Sequence, residues 1–237
     1  EDQEIINWTS PLNFFPHQAD ILGSRQPGTG DWLLQESLFK QCKVCEIQAL
    51  WCCGMPGAGK TVLACKAGVA VLYLDHRATE TQSPTNLLAA LWHQLACEGP
   101  VLSRVHDIYK RHHPRGKRPS LEEIDCVLCS VISESHCVFI VVDALDEYPE
   151  GRWNTLLHNL WNLGPPVRLM LTSRPHINID HIILNIESLD VRANEEDIHK
   201  YLVEQIQESD RLSRHIQKSP ILRDLIEDKI VKRSDGI

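Results

Sequence analysis

Residues 54–61 read Gly-Met-Pro-Gly-Ala-Gly-Lys-Thr, matching the phosphate-loop pattern G-x-x-x-x-G-K-[ST]. Glycines let consecutive amides turn toward one anion, and a helix that starts at the lysine adds the positive end of its dipole. Nucleotide binding is therefore expected from Gly54, Pro56, Gly57, Ala58, Gly59, Lys60 and Thr61, with Lys60 reaching the β- and γ-phosphates and the Thr61 hydroxyl ligating Mg²⁺. A second pattern lies at 138–147, where Val-Phe-Ile-Val-Val runs directly into Asp143, Asp146 and Glu147. Carboxylates at the end of a buried strand are costly unless they meet a cation. Asp143 is expected to hold the metal, directly or through water, and Asp146 or Glu147 to orient or deprotonate the attacking water. Phosphoryl transfer needs such positioning and charge neutralisation more than covalent help. A third run, 168–175, ends in Thr-Ser-Arg-Pro. In an open parallel sheet, ligands sit outside the carboxyl ends of the strands, which aims Arg174 at the same crevice, where it would read the γ-phosphate.

These residues need a scaffold that brings strand ends together. Short apolar runs at 49–53, 69–74, 137–142, 167–171 and 182–186 have the look of strands buried on both faces. Helical patterns at 60–67, 84–96, 121–133 and 153–163 alternate with them, which predicts a parallel sheet covered on both sides. Ser120 followed by Glu123 is a capping box for the third of these helices. After the fifth run the chain turns helical at 195–208 and 221–232, the latter opened by Ser219 as N-cap and Pro220 as first helical residue. Residues 1–30 form a turn-rich lead-in, and Asp31 is placed to cap a short amphipathic helix through Phe39. The run His-His-Pro-Arg-Gly-Lys-Arg-Pro at 112–119 is expected to be a solvated loop.

Composition narrows the class. With 237 residues, 43% hydrophobic and 24% charged, the chain can build a full core without staples. No apolar stretch approaches the ~20 residues of a membrane span. A formal charge of −8 argues against a dedicated nucleic-acid binder. The cysteines number nine, an odd count spread along the chain, and are expected to be reduced thiols in a cytoplasmic protein. A zinc site built from Cys42, Cys45, Cys126 and Cys129 is rejected, because the pairs lie far apart and the second sits in a helix whose neighbours read as core. The first residue is Glu1, so the chain is expected to be a piece of a longer one.

Taken together, the phosphate loop, Asp143-Ala144-Leu145-Asp146-Glu147 and Thr172-Ser173-Arg174-Pro175 resemble the NACHT branch of the STAND signalling NTPases. More narrowly, the chain resembles the nephrocystin-3-like N-terminal NTPase domain of many fungal NOD-like proteins, often found ahead of ankyrin or WD repeats. Gly28-Thr29-Gly30-Asp31-Trp32-Leu33-Leu34, Pro84-Thr85-Asn86-Leu87-Leu88 and Arg118-Pro119-Ser120-Leu121 carry the likeness further. The resemblance implies an α/β P-loop NTPase fold with a five-stranded parallel sheet in the order 5-1-4-3-2, flanked by helices, and a truncated helical C-terminal segment. It implies the phosphate-loop roles for Lys60 and Thr61, the acidic roles for Asp143, Asp146 and Glu147, and a sensor role for Arg174. The division expected is a lead-in over 1–30, an NTPase core over 31–190 and the start of a helical domain over 191–237.

Two departures from the family stand out. Only about seven residues separate Thr61 from the second strand, so the intervening helix would be about 11–14 Å long at 1.5 Å per residue. The chain also ends before the winged-helix lid that holds ADP in the family, so freer nucleotide exchange is expected. The leading expectation is a switch in a signalling protein that binds ATP or GTP with Mg²⁺, hydrolyses it slowly and self-associates, with effector and repeat domains elsewhere in the full-length protein. The alternative is a nucleotide-incompetent scaffold whose phosphate loop is spoiled by the short helix. A small-molecule kinase shares the phosphate loop, but no lid or acceptor motif is recognisable.

Overall fold

The computed structural model describes residues 2–67, 70–96, 103–219 and 221–234. Apolar runs become strands β1 (Ala49–Cys53), β2 (Ala70–Tyr73), β3 (Val138–Asp143) and β4 (Val167–Ser173), joined by β5 (Glu187–Asp190). They pair in the order β2-β3-β4-β1-β5, every pairing parallel, which is the order 5-1-4-3-2 from the other edge. Helices α1 (Asp2–Thr9), α2 (Phe15–Ser24) and α3 (Ser37–Lys43) precede β1, and α4 (Lys60–Ala67) leaves it. Helices α5 (Pro84–Ala96), α6 (Ser103–His112) and α7 (Leu121–Ser133) lie between β2 and β3, and α8 (Glu150–Asn162) between β3 and β4. After β5 come α9 (Glu195–Glu208), α10 (Asp210–Lys218) and α11 (Ile221–Ser234). Leu50, Cys52, Ile140, Val142, Leu169 and Leu171 of the three inner strands are fully buried, as strands covered on both faces must be.

The short helix after the phosphate loop fits because of where it has to go. Since β2 lies three places from β1 in the sheet, the crossover must move sideways by about 14 Å at 4.8 Å per strand. Eight helical residues span about 12 Å, and α4 packs across β3 and β4 on the way. Val69, expected to open the second strand, lies outside the described residues.

β2 is an edge strand, and its outer backbone groups are met by two buried glutamine amides. Gln94 of α5 accepts from the Val71 amide at 2.9 Å and donates to its carbonyl at 3.0 Å. Gln82 donates to the Tyr73 carbonyl at 2.9 Å and accepts from the Asp75 amide at 3.0 Å. The side chains act as a pseudo-strand, closing an edge that would otherwise template pairing with another chain.

The fifth strand is not the apolar run 182–186 but the segment just after it. Ile179 and Ile183 fill the core from a turn, and the chain then pairs Glu187–Asp190 with β1 at the other edge, where polar side chains face solvent. The expected helix from Asp31 is broken by an extended Glu36 into a 3-10 turn, Asp31–Gln35, and α3. Residues 2–24, expected to be turn-rich, contain α1 and α2; Ile5 and Ile6 of α1 and Phe14, just before α2, join the core. Helices α6 and α10 were not expected, and α8 begins at Glu150, before the expected Trp153. The capping box at Ser120 forms in both directions. The basic run 112–119 clamps α1: Trp8 donates its indole N–H to the Lys117 carbonyl at 3.2 Å, and Arg118 donates to the Trp8 carbonyl at 2.7 Å. Of the residues capping α11, Pro220 lies outside the described residues.

Candidate nucleotide site

The phosphate loop leaves β1 at Gly54, whose amide donates to the Ser173 carbonyl at 3.2 Å, tying the loop to the end of β4. A Cβ here would run into the Val191 carbonyl, so only glycine lets the chain leaving β5 pass this close. Gly57 and Gly59 take φ of 86° and 84°, the conformation that curls the loop before α4. Lys60 turns back over the loop, its Nζ donating to the carbonyls of Gly54 at 2.6 Å and Met55 at 2.9 Å. Burial lowers the pKa of this ammonium, and the carboxylates of Asp146 and Asp143 oppose that shift.

Beside the loop is a cavity of about 320 Å³. Pro56, Gly57, Gly59, Lys60 and Thr61 line one side; Asp143, Asp146, Glu147 and Arg174 line the other. Sequence-expected groups from three strand ends thus meet in one place, whereas Ala58 faces a second cavity and Gly54 works through the backbone. Asp143, at the end of β3, is 3% exposed. Burial pushes its carboxyl up from the ordinary range, opposed by hydrogen bonds from Thr172 and Thr61 and by the Lys60 charge. The Thr172 hydroxyl donates to Asp143 Oδ1 at 2.6 Å and accepts from the Ala144 amide at 3.0 Å. A buried carboxylate flanked by two more and a threonine hydroxyl is an all-oxygen, anionic donor set, which suits Mg²⁺.

The three carboxylates have separate partners. Asp146, its side chain 6% exposed, accepts from the Arg174 amide at 3.0 Å and pairs with Arg174 Nε at 3.1 Å. Glu147 is more open and approaches His76 Nδ1 at 3.4 Å. Asp75, His76 and Glu147 offer ligand atoms within 4.8 Å of one another, a further group able to hold a cation. Thr172 and His76 were not picked out from sequence as site residues. Each follows or ends a strand on the same side of the sheet as the phosphate loop, and that position was the available signal.

A larger cavity of about 540 Å³, mostly apolar, lies on the other flank of the loop. Its walls include Arg25, Trp32, Val62, Tyr201 and Leu202. The lead-in and α9 are latched over it: the Gly30 amide donates to Asp197 Oδ2 at 2.7 Å, and Lys200 Nζ to the Gly28 carbonyl at 3.0 Å. Asn194 caps α9 by accepting from the Glu196 and Asp197 amides, which fixes Asp197 for that latch.

The cysteines of the rejected zinc arrangement are dispersed. Cys126 and Cys129 are exposed on α7 while Ile124, Leu128 and Ile132 face the core, and Cys42 is buried near exposed Cys45. Among the described residues no helix is long and apolar enough to cross a membrane.

Sheet order, phosphate loop and acidic strand end define the fold of a P-loop nucleoside triphosphatase. The family described as Nephrocystin 3, N-terminal, matches residues 28–174, and the chain belongs to that family. No curated protein matches the chain. Among solved structures, the Orc1 protein of Aeropyrum pernix in complex with DNA is similar in fold at 15% identity and a TM-score of 0.51, over 81% of this chain and 53% of that one. Cdc6p from Pyrobaculum aerophilum gives 14% identity and a TM-score of 0.48, over 87% of this chain and 54% of that one. A Signal Transduction ATPase with Numerous Domains (STAND) protein with a tetratricopeptide repeat sensor, from Pyrococcus horikoshii, gives 14% and 0.46, over 77% of this chain and 27% of that one. The chain therefore spans about half, or less, of the length of these structures.

Proposed function

We propose that this chain binds ATP with Mg²⁺ and hydrolyses it slowly, the two nucleotide states setting a conformational and oligomerisation switch in a signalling protein. One observation carries the reading: Lys60, Thr61, Asp143, Glu147 and Arg174, from three strand ends, line a single polar cavity beside the phosphate loop. The larger apolar cavity on the other flank of that loop has room for a nucleoside. GTP is the alternative substrate.

In this reading Lys60 exchanges its carbonyl partners for the β- and γ-phosphates, keeping its charge within a ring of acceptors. Thr61 and Asp143 would hold Mg²⁺, with Thr172 steadying the Asp143 carboxylate. When bound, Mg²⁺ supplies charge neutralisation at the phosphate oxygens. Asp146 is committed to Arg174 and so positions that guanidinium toward the γ-phosphate. Glu147, unencumbered by that pair, is left to orient the attacking water. Self-association through this domain, effector and repeat domains elsewhere in the protein and a cytoplasmic location belong to the same reading. So does the division into a lead-in (1–30), an NTPase core (31–190) and the beginning of a helical domain (191–237).

Thermal unfolding with and without Mg²⁺-ATP tests this. Ligand at a hundred times its Kd adds about 2.7 kcal/mol, roughly 5–10 °C in Tm for a domain of this size. That shift is expected in the native chain and absent in Lys60→Ala. A folded native chain with no shift would favour the scaffold reading.

A further inference from the structure

At the end of the sheet away from the phosphate loop, two thiols far apart in sequence meet. Cys45 Sγ and Cys137 Sγ are 3.3 Å apart across 92 positions of chain. Cys45 lies in the turn between α3 and β1 and is exposed; Cys137 is half-buried, one residue before β3. Since β4 lies between β1 and β3, the thiol pair bridges over the start of β4. Cys45 is held there with φ of 66°, a conformation non-glycine residues seldom adopt. Arg168, the second residue of β4, sits beneath the pair and donates from Nη2 to the Cys45 carbonyl at 3.3 Å. Its Nη1 is taken by the Pro165 and Val167 carbonyls, while its buried Nε has no hydrogen-bond partner. The guanidinium, fixed against the Cys45 backbone, sets a positive charge near the pair.

We propose that Cys45 and Cys137 form a dithiol site that peroxide oxidises to a disulfide, tying the turn before β1 to the start of β3. Exposed Cys45 meets the oxidant first. Its thiolate attacks one peroxide oxygen, the O–O bond breaks and hydroxide leaves, giving a sulfenic acid on Cys45. Cys137 then attacks Cys45 Sγ; its proton is lost, the S–S bond forms, and the sulfenic oxygen leaves as hydroxide and becomes water. In sum two thiols and one peroxide give one disulfide and two waters, the sulfurs losing two electrons and the peroxide gaining them. Burial pushes the Cys137 thiol up to about 11, and the Arg168 charge opposes that shift. Cys137 is thus sheltered as a resolving partner, not a first target. Closure needs the sulfurs to move little more than 1 Å, from 3.3 Å to a bond of about 2.05 Å. The bond would pin the starts of the two strands whose far ends carry the phosphate loop and Asp143.

The test is peptide mass spectrometry on the native chain, reduced and then treated with hydrogen peroxide. The expected product is a linked pair of peptides containing Cys45 and Cys137, two hydrogens lighter than the free thiols and separated again by dithiothreitol. Cys42→Ser should still form it. In Cys137→Ser, Cys45 should proceed to the sulfinic acid at least ten-fold more than in the native chain. Over-oxidised Cys45 beside alkylatable Cys137 in the native protein, or Cys45 linked to a different cysteine, would overturn the proposal.

Discussion

The two cavities share Gly57, Gly59 and Val62 as a common wall, yet they are assembled in opposite ways. The polar one is made at strand ends: Asp143 and Thr172 are consequences of where β3 and β4 stop, and the sheet pairing brings them together. The apolar one depends on a latch between segments 167 positions apart, the Gly30 amide on Asp197. A sheet distributes its geometry over many backbone hydrogen bonds, whereas a latch concentrates it in two or three. The cavity at the strand ends should therefore be the stiffer of the two, and the apolar cavity the one that opens.

Substitutions can break that contrast. The largest expected effect is on chemistry at the stiff side: Glu147→Gln should reduce ATP hydrolysis by roughly 10²–10³-fold while leaving the ATP-induced Tm shift intact. Asp146→Asn, by freeing Arg174, should lower the rate less, by about ten-fold. If Asp146→Asn proved the more damaging in hydrolysis assays, the two carboxylates would have to exchange roles.

Asp197→Ala sharpens the other half. Leaving the Gly30 amide without its acceptor costs about 1–3 kcal/mol, and ATP affinity should fall by about ten-fold with the rate of bound-nucleotide hydrolysis nearly unchanged. Equilibrium binding set beside single-turnover hydrolysis separates the two quantities; equal losses in both would mean the cavities are not independent. Thr172→Val keeps the shape but removes the hydroxyl from Asp143, and should raise the Mg²⁺ concentration needed for half-maximal hydrolysis a few-fold.

The smallest effect comes from a residue in neither cavity. His93 on α5 is 5% exposed against Phe15, and burial lowers its pKa. As pH falls below about 6.5, the unfolded chain takes up a proton that the folded chain refuses, so stability declines with a slope of at most about 1.4 kcal/mol per pH unit. His93→Gln should flatten the fall in Tm between pH 7.5 and 5.5 without altering the nucleotide-induced shift at pH 7.5. A mutant with unchanged pH dependence would place the titration elsewhere.

Much of this was legible because it is local. The phosphate loop is eight consecutive residues, the acidic end of β3 is a strand and its exit, and the Ser120 capping box spans four positions. Apolar patterning places β5 five residues too early, because an edge strand is selected by backbone pairing, while Ile183 of the preceding run fills the core from a turn. The basic run at 112–119 is exposed over 113–118, as its composition implies, but nothing in that composition shows that Trp8 lies within reach of Lys117 and Arg118.

By itself, the sequence determined the alternation of strands and helices, the loop that can cradle phosphate and the carboxylates that end β3, since each depends on residues close together along the chain. Only the tertiary structure decided which carboxylate holds Arg174, which glutamines close the β2 edge, how the lead-in roofs the larger, apolar cavity and that Cys45 meets Cys137. Those are contacts between segments separated by tens to more than a hundred residues, and such partners are chosen by packing, which no local pattern records.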